Sequence, residues 1–134
     1  MYGDNLEKSI SYLRNLGDFI YKLRQKLILD KLRNHEDLTP KLAMLGLKIP
    51  KELAGAKITY MKHPKTCGNN KLVVLYEPSG PKPKFLDLRI FCIRVCRKDE
   101  TDPSGWRCEL ACLECGIDRG HLSCAISIRT RYDE

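Results

Sequence analysis

Six of the seven cysteines in this chain lie between Cys92 and Cys124, in a segment that also contains His121. Thiols at this density indicate disulfide bonds, a bound metal or a cysteine-rich core, and each alternative constrains the fold differently. An odd number of cysteines leaves at least one thiol unpaired in a monomer. The N-terminal residues lack the basic and apolar segments of a secretory signal. We therefore expect an intracellular protein, cytoplasmic or nuclear, with reduced cysteines.

One arrangement of these cysteines is an antiparallel hairpin that turns at residues 102–105, where the sequence is Asp-Pro-Ser-Gly. If Cys96 faces Cys108, the same register places Cys92 opposite Cys112. Both pairs would then lie on one sheet face, roughly 13 Å apart along the strands. That separation is too large for the four thiolates to bind a single ion.

The alternative arrangement is a zinc site. Cys112 and Cys115 are separated by two residues and followed by Gly116, a C-x-x-C-G pattern that resembles one half of a zinc ribbon. We predict zinc as a cofactor on this basis. The predicted ligands are Cys112, Cys115, His121 and Cys124, with Cys92, Cys96 and Cys108 as alternative donors. A metal-free core stays open as a third interpretation, because Cys124 shares the alternation of Ile126 and Ile128. Cys67 stands apart and is expected to be a loop thiol.

Residues 5–34 have the apolar periodicity of an amphipathic helix, which Gly17 interrupts. The pattern predicts either one long kinked helix or two consecutive helices. Thr39 followed by Pro40 predicts the start of another short helix. The apolar stripe is typical of a core or a homodimer face, and no apolar run approaches the roughly 18 residues of a transmembrane helix.

The second half of the chain is rich in the Val, Ile, Tyr and Phe of β-strands. The predicted strands cover residues 58–61, 72–76, 85–95, 106–113 and 122–132. The fold class is therefore α+β, with N-terminal amphipathic helices followed by a small antiparallel β-sheet that carries the cysteine cluster. We expect a helical region over residues 1–55 and a basic, cysteine-rich β domain over residues 56–134.

The net charge of +7 is concentrated in the middle of the chain. Residues 51–98 contain eleven Lys and Arg against three Asp and Glu, whereas residues 99–134 contain four against eight. A basic zone of this size is typical of a protein that binds RNA, DNA or an anionic membrane surface, although a solvated face has the same composition. We predict a nucleic-acid partner, RNA before DNA. The candidate contacts are Lys62, Lys65, Lys71, Lys82, Lys84, Arg89, Arg94, Arg97, Lys98 and, as a stacking platform, Trp106.

The sequence shows no nucleophile elbow, phosphate loop or dinucleotide-binding pattern, so we expect a non-enzymatic protein without a small-molecule substrate. Leu110, Cys112 and Glu114 form an L-x-C-x-E pattern, which resembles the motif that some viral proteins use to dock on retinoblastoma-type proteins. In composition the chain resembles the compact cysteine-rich accessory proteins of RNA viruses, a likeness that implies a regulatory role in host–virus interaction. The alternative is a metal-free protein-interaction module that acts through the helical arm of residues 5–34 and the cysteine-rich sheet.

Overall fold

The computed structural model of the protein describes residues 2–66, 71–78 and 88–133, with side chains from Ser9 onward. In this part of the chain the helices are α1 (Tyr2–Lys26) and α2 (Thr39–Met44), with 3₁₀ turns at Leu29–Lys31 and Lys51–Leu53. The strands are β1 (Lys57–Met61), β2 (Lys71–Tyr76), β3 (Phe91–Lys98), β4 (Trp106–Asp118) and β5 (His121–Arg129). The predicted fold class, N-terminal helices followed by an antiparallel sheet, is confirmed. Cys67, Lys82, Lys84 and the first three residues of the predicted strand 85–95 lie outside the described residues.

Helix α1 runs through Gly17 without interruption, so one continuous helix forms and not two. A Cβ atom at position 17 would lie 2.8 Å from ring atoms of Tyr76 in β2. The glycine therefore lets an aromatic ring approach the helix closely, and it does not end the helix. The predicted helix extends too far, because α1 ends at Lys26 and the following turn buries Leu29 and Leu32.

The sheet has the strand order β1-β3-β4-β5-β2, and neighbouring strands are antiparallel. Strands β3, β4 and β5 form consecutive hairpins, while β1 and β2 lie at the two edges. The register between β3 and β4 aligns Cys96 with Cys108 and Cys92 with Cys112, as the first arrangement predicts.

The outer edge of β1 is closed by the segment that precedes α2. The amide of His35 donates to the carbonyl of Tyr60, the amide of Tyr60 donates to the carbonyl of Glu36, and the amide of Leu38 donates to the carbonyl of Ile58, each at 2.8 Å. The Thr39 hydroxyl accepts a hydrogen bond from the amide of Ile58 at 2.8 Å. A short bridge therefore satisfies the backbone groups that an edge strand would otherwise expose.

Helix α1 packs on one face of the sheet, which we call the covered face. Buried leucines and isoleucines of α1 meet the alternate residues of β3, β4 and β5 that point toward the helix. The main contributors are Leu13, Leu16, Ile20, Leu23, Phe91, Ile93, Leu113, Cys124 and Ile126. The apolar stripe of α1 is thus part of the core. None of the described helices is long and apolar enough to span a membrane.

The opposite face, which we call the open face, carries a smaller apolar cluster of Met61, Cys92, Leu110 and Tyr132. Tyr132 reaches this cluster because Arg131 has a left-handed backbone with φ of 55°. The amide of Tyr132 donates to the carbonyl of Cys108 at 2.8 Å, and this bond holds the segment that follows β5 beside β4. Leu110 of the L-x-C-x-E pattern is buried in this cluster, so a partner could not reach its side chain.

The six clustered cysteines form three cross-strand disulfides. The bonds join Cys92 to Cys112, Cys96 to Cys108 and Cys115 to Cys124. By the alternation of side chains, the first two bonds lie on the open face and the third lies on the covered face. The expectation of reduced cysteines is therefore corrected by the structure.

The predicted zinc site is wrong. Cys112 and Cys115 lie on one continuous strand, where residues three apart point to opposite faces and cannot bind the same ion. Cys124 is bonded to Cys115, and His121 lies exposed at the turn between β4 and β5. The alternative donors Cys92, Cys96 and Cys108 are also in disulfides, and no cluster of three or more metal-binding side chains occurs in the described chain.

Candidate nucleic-acid interface

Three cations lie in one register row across the open face. The row runs from Thr59 in β1 through Arg94, Leu110 and Arg129 to Lys71 in β2. Adjacent strands are ~4.8 Å apart, so Arg94 lies about 10 Å from Arg129 and Arg129 about 5 Å from Lys71 at the backbone. The fold thus gathers charges that are distant along the chain.

Lys71 and Arg129 are directly opposed on neighbouring strands. Like charges in this position repel each other. Arg129 also has an interaction within the fold, and a bound anion would add to it. The covered face has a similar pair, Arg97 opposite Arg107, whose charges are compensated within the fold. Arg97 lies 3.4 Å from Glu109, and Arg107 lies 3.3 Å from Asp99. The open-face pair borders a cleft, where an anionic ligand from solution can reach it.

Arg94 adds a partly desolvated cation to this row. Its Nε atom is buried and has no hydrogen-bond partner among the described residues. A buried N–H group without an acceptor costs free energy, roughly 1–3 kcal/mol. Arg94 as a whole is half-buried, so the rest of its guanidinium group is suited to donate to a phosphate oxygen.

Lys98 and Trp106 form the far end of the open face, four residues along β3 from Arg94. The Lys98 ammonium lies 6.0 Å from the centre of the Trp106 ring, and the tryptophan is 39% exposed. The turn before β4 fixes this ring, because the hydroxyl of Ser104 donates to the Trp106 carbonyl at 2.9 Å. Gly105 permits the turn with φ of 79°. An exposed aromatic ring beside a cation is a stacking platform for a base.

A cleft of about 530 Å³ lies at the other end of the open face. The Cys92–Cys112 disulfide, Ala125 and Ser127 line it, and by register they form its floor. The end of β1 and the segment that follows it form one wall, while β2 forms the other. The remaining lining residues are Met61, Lys62, His63, Pro64, Thr66, Lys71, Val73, Ile90, Glu114 and Arg129. Glu114 is the one carboxylate among the described lining residues.

The structure separates the predicted contact residues other than Arg97 into three groups. Lys62, Lys71, Arg94, Lys98 and Trp106 lie on the open face or along its cleft, and Lys65 is exposed close to the cleft wall. Arg89 pairs with Asp30 at 2.8 Å at the surface. Lys82 and Lys84 lie outside the described residues.

Arg97 has a structural position on the covered face. Its guanidinium donates to the Tyr12 hydroxyl at 2.9 Å and to the Glu52 carbonyl at 3.0 Å. Burial and the nearby Glu109 carboxylate raise the pKa of Tyr12, so this phenol stays neutral beside the guanidinium. We therefore leave Arg97 out of the interface.

Sequence reasoning missed Arg129, whereas Lys57 belongs to the basic segment that the sequence already indicates. Arg129 belongs to the acidic tail by charge counting, yet strand pairing places it directly beside Lys71. The signal in the sequence is alternation, since Arg129 has the opposite parity to the buried Cys124, Ile126 and Ile128. Lys57 is exposed at the start of β1, opposite Cys96.

A second cationic groove, of about 660 Å³, lies beside α1. Lys22 and Lys26 of the helix face Lys48 and Lys51 across Phe19 and the segment 46–51. These lysines are exposed, and Asp18 also lines the groove. This groove offers a matched set of cations for testing whether the open face is the true interface.

No family model, curated protein or solved structure matches the chain. Its function is therefore inferred from its residues and their geometry.

Proposed function

We propose that the protein is a non-enzymatic binder of single-stranded nucleic acid, RNA before DNA, and that the open face is its interface. The observation that carries the proposal is the directly opposed pair of Lys71 and Arg129, in one row with Arg94. This row lies between the cleft at one end of the face and Lys98 and Trp106 at the other, and Tyr132 packs against Leu110 within it.

An antiparallel sheet face with the exposed cations Lys71 and Lys98 and an exposed aromatic ring suits a single strand better than a duplex. Unpaired bases can lie on the sheet and stack on Trp106, while the phosphates contact the lysines and arginines. A duplex hides its bases and meets a flat surface only along its backbone. Binding is then dominated by phosphate contacts and depends strongly on salt.

The test is the salt dependence of binding to a fluorescent twelve-nucleotide RNA, measured by anisotropy, with DNA of the same sequence alongside. The double variant Lys71→Gln/Lys98→Gln removes two exposed cations of the open face. We expect it to weaken binding and to lower the slope of log K against log salt by about 1.4, which is roughly 0.7 for each phosphate that a lysine no longer neutralises.

The matched control is Lys22→Gln/Lys26→Gln, which removes the same charge from the groove beside α1. We expect this control to change the slope by less than about half of the change that the open-face variant causes. An equal or larger effect of the control would place the interface at the groove, and binding that ignores salt would contradict the proposal. Trp106→Ala should lose about 1–3 kcal/mol of binding free energy if a base stacks on the ring.

A second candidate function, a protein-interaction module, is favoured by β2. In the described part of the chain this strand pairs only with β5, and Val73 and Leu75 are exposed on its open side. Such an edge can accept an extra strand from a partner. Association through this apolar strand should respond little to salt, so the titration above separates the two functions. The proposed homodimer through residues 5–34 has less support, since the apolar stripe of α1 is buried from Leu13 to Leu23.

The three disulfides support an oxidising compartment in place of the intracellular location expected from sequence. Alkylation of the purified, denatured protein without reductant tests the bonding, because six of seven cysteines should be protected. One label per chain is the expected result. Seven labels on protein isolated from its source would indicate that the bonds are absent there.

A further inference from the structure

We propose that the cleft on the open face binds one nucleotide whose base carries an exocyclic amino group, and prefers cytosine to uracil. This inference rests on the proposed function and names the part of the strand that the cleft selects. It follows from the order of chemical groups along the cleft floor.

The cleft is cationic at one end. Lys71 and Arg129 oppose each other there, one row along the strands from the Cys92–Cys112 disulfide. Two opposed cations suit the two non-bridging oxygens of one phosphodiester, which share its negative charge, and an arginine can contact such oxygens in a bidentate manner. The phosphate of the selected nucleotide is placed at this end.

The middle of the cleft is largely apolar. The disulfide of Cys92 and Cys112 lies between Met61 on β1 and Val73 on β2 in the same register row. Met61 and Cys92 are almost fully buried, so Cys112 and Val73 provide the accessible part of this surface. Sulfur atoms make favourable contacts with aromatic rings, and an apolar surface suits the face of a base. Ala125 is small enough to leave room above the floor.

Glu114 lies at the opposite end from Lys71 and Arg129, where Lys62 and His63 also line the cleft. It is four residues from Leu110, which shares the row of Arg129, so the carboxylate and the cations are roughly 13 Å apart at the backbone. A carboxylate accepts a hydrogen bond from the N4 amino group of cytosine, whereas uracil presents an oxygen at that position and is repelled. An anionic end, a flat body and an amino donor occur together in a cytidine nucleotide.

The experiment compares the binding of twelve-nucleotide oligo(C) and oligo(U) RNA by anisotropy at fixed salt. We expect wild-type protein to bind oligo(C) about five to ten times more tightly, the lower part of the range for one base contact. Glu114→Gln should reduce this ratio to below about twofold. The overall affinity for both oligomers should rise slightly, because a negative charge is removed near the phosphates.

The control variant is Asp118→Asn, which removes the same charge from the same strand outside the cleft. It should raise both affinities and leave the preference for oligo(C) unchanged. A second variant, Ala125→Leu, fills the floor without changing charge and should also abolish the preference while the salt slope persists.

The outcomes distinguish the two proposals. If neither oligomer binds at low salt, the proposed function itself fails. If both bind with the expected salt slope but equally tightly, or if Glu114→Gln leaves the ratio unchanged, the open face binds nucleic acid and the nucleotide-selecting cleft is overturned.

Discussion

Basic residues have different surroundings on the two faces of the sheet. On the covered face, Arg97 is surrounded by Glu109, Tyr12 and the Glu52 carbonyl, and its charge is used within the fold. On the open face, Lys71 lies opposite another cation, and Arg94 has a buried N–H without an acceptor among the described residues. Basic residues in one strand can therefore have unrelated roles, and strand parity separates those roles. Two experiments compare the faces directly and two more test the packing of the covered face, in decreasing order of the change expected.

Truncating a leucine on each face is the most direct way to compare them. Leu113 on the covered face is 1% exposed, and Leu75 on the open side of β2 is 70% exposed. We expect Leu113→Ala to lower the free energy of unfolding by about 2–5 kcal/mol, because it leaves a cavity in the core. Leu75→Ala should cost less than about 1 kcal/mol. Urea denaturation measures both, and similar costs would mean that another part of the chain covers the open face.

Removing one disulfide from each face tests their contributions to stability. The Cys92–Cys112 and Cys115–Cys124 bonds have sequence separations of 20 and 9 residues. Loop-closure entropy alone gives about 3 kcal/mol for either bond. We expect Cys115→Ala/Cys124→Ala to cost more than Cys92→Ala/Cys112→Ala, because Cys124 packs in the large core under α1 whereas Cys92 packs in the smaller cluster of the open face. Urea midpoints in the opposite order would show that packing around Cys124 is unimportant.

The contact between Gly17 and Tyr76 predicts that replacing this helical glycine with alanine destabilises the protein, which is the reverse of the usual effect. Alanine in a helix is normally about 1 kcal/mol more favourable than glycine. Gly17→Ala should nevertheless destabilise the protein by about 1 kcal/mol, since its Cβ would displace the Tyr76 ring. In a Tyr76→Ala background the same change should stabilise by up to about 1 kcal/mol. Additive effects in this double-mutant cycle would show that the helix does not contact the ring.

The smallest effect concerns alkaline pH. Burial is the main reason that the pKa of Tyr76 lies above its ordinary value of 10.0, and the nearby Asp18 carboxylate raises this pKa further. A raised folded-state pKa means that the neutral phenol stabilises the fold below pH 10, and that this contribution is lost as pH rises through the folded-state value. Tyr76→Phe should change stability little at pH 7, where the hydroxyl has no partner among the described residues. It should make unfolding less sensitive to pH between 10 and 12, as followed by circular dichroism.

The helices, the strands and the pairing of β3 with β4 could be predicted because they depend on local patterns. Once Cys96 is placed opposite Cys108, the alignment of Cys92 with Cys112 follows from the register alone. The oxidation state does not follow from spacing, since thiolates that can bind zinc can also form a disulfide. The C-x-x-C-G pattern was misleading because β4 continues to Asp118, which separates Cys112 and Cys115 onto different faces.

The candidate interface was harder to predict because it depends on long-range pairing. Nothing local places β2 beside β5, so the contact of Lys71 with Arg129 could not be seen in the sequence. Arg97 was misassigned for the same reason, since its partners Tyr12 and Glu52 come from distant segments. Gly17 resembles a helix end in sequence and serves instead as the contact point for a distant ring.

The disulfides connect only β3, β4 and β5 among the described elements, and this has a consequence for how the chain refolds. Long-range strand pairing is slow because the correct alignment must be searched for among many alternatives. An oxidised chain released from urea already has that alignment fixed in its three central strands. The edge strands and the helix then need only pack against three strands whose register is already fixed. Oxidised protein should therefore regain its native circular-dichroism signal faster than reduced protein.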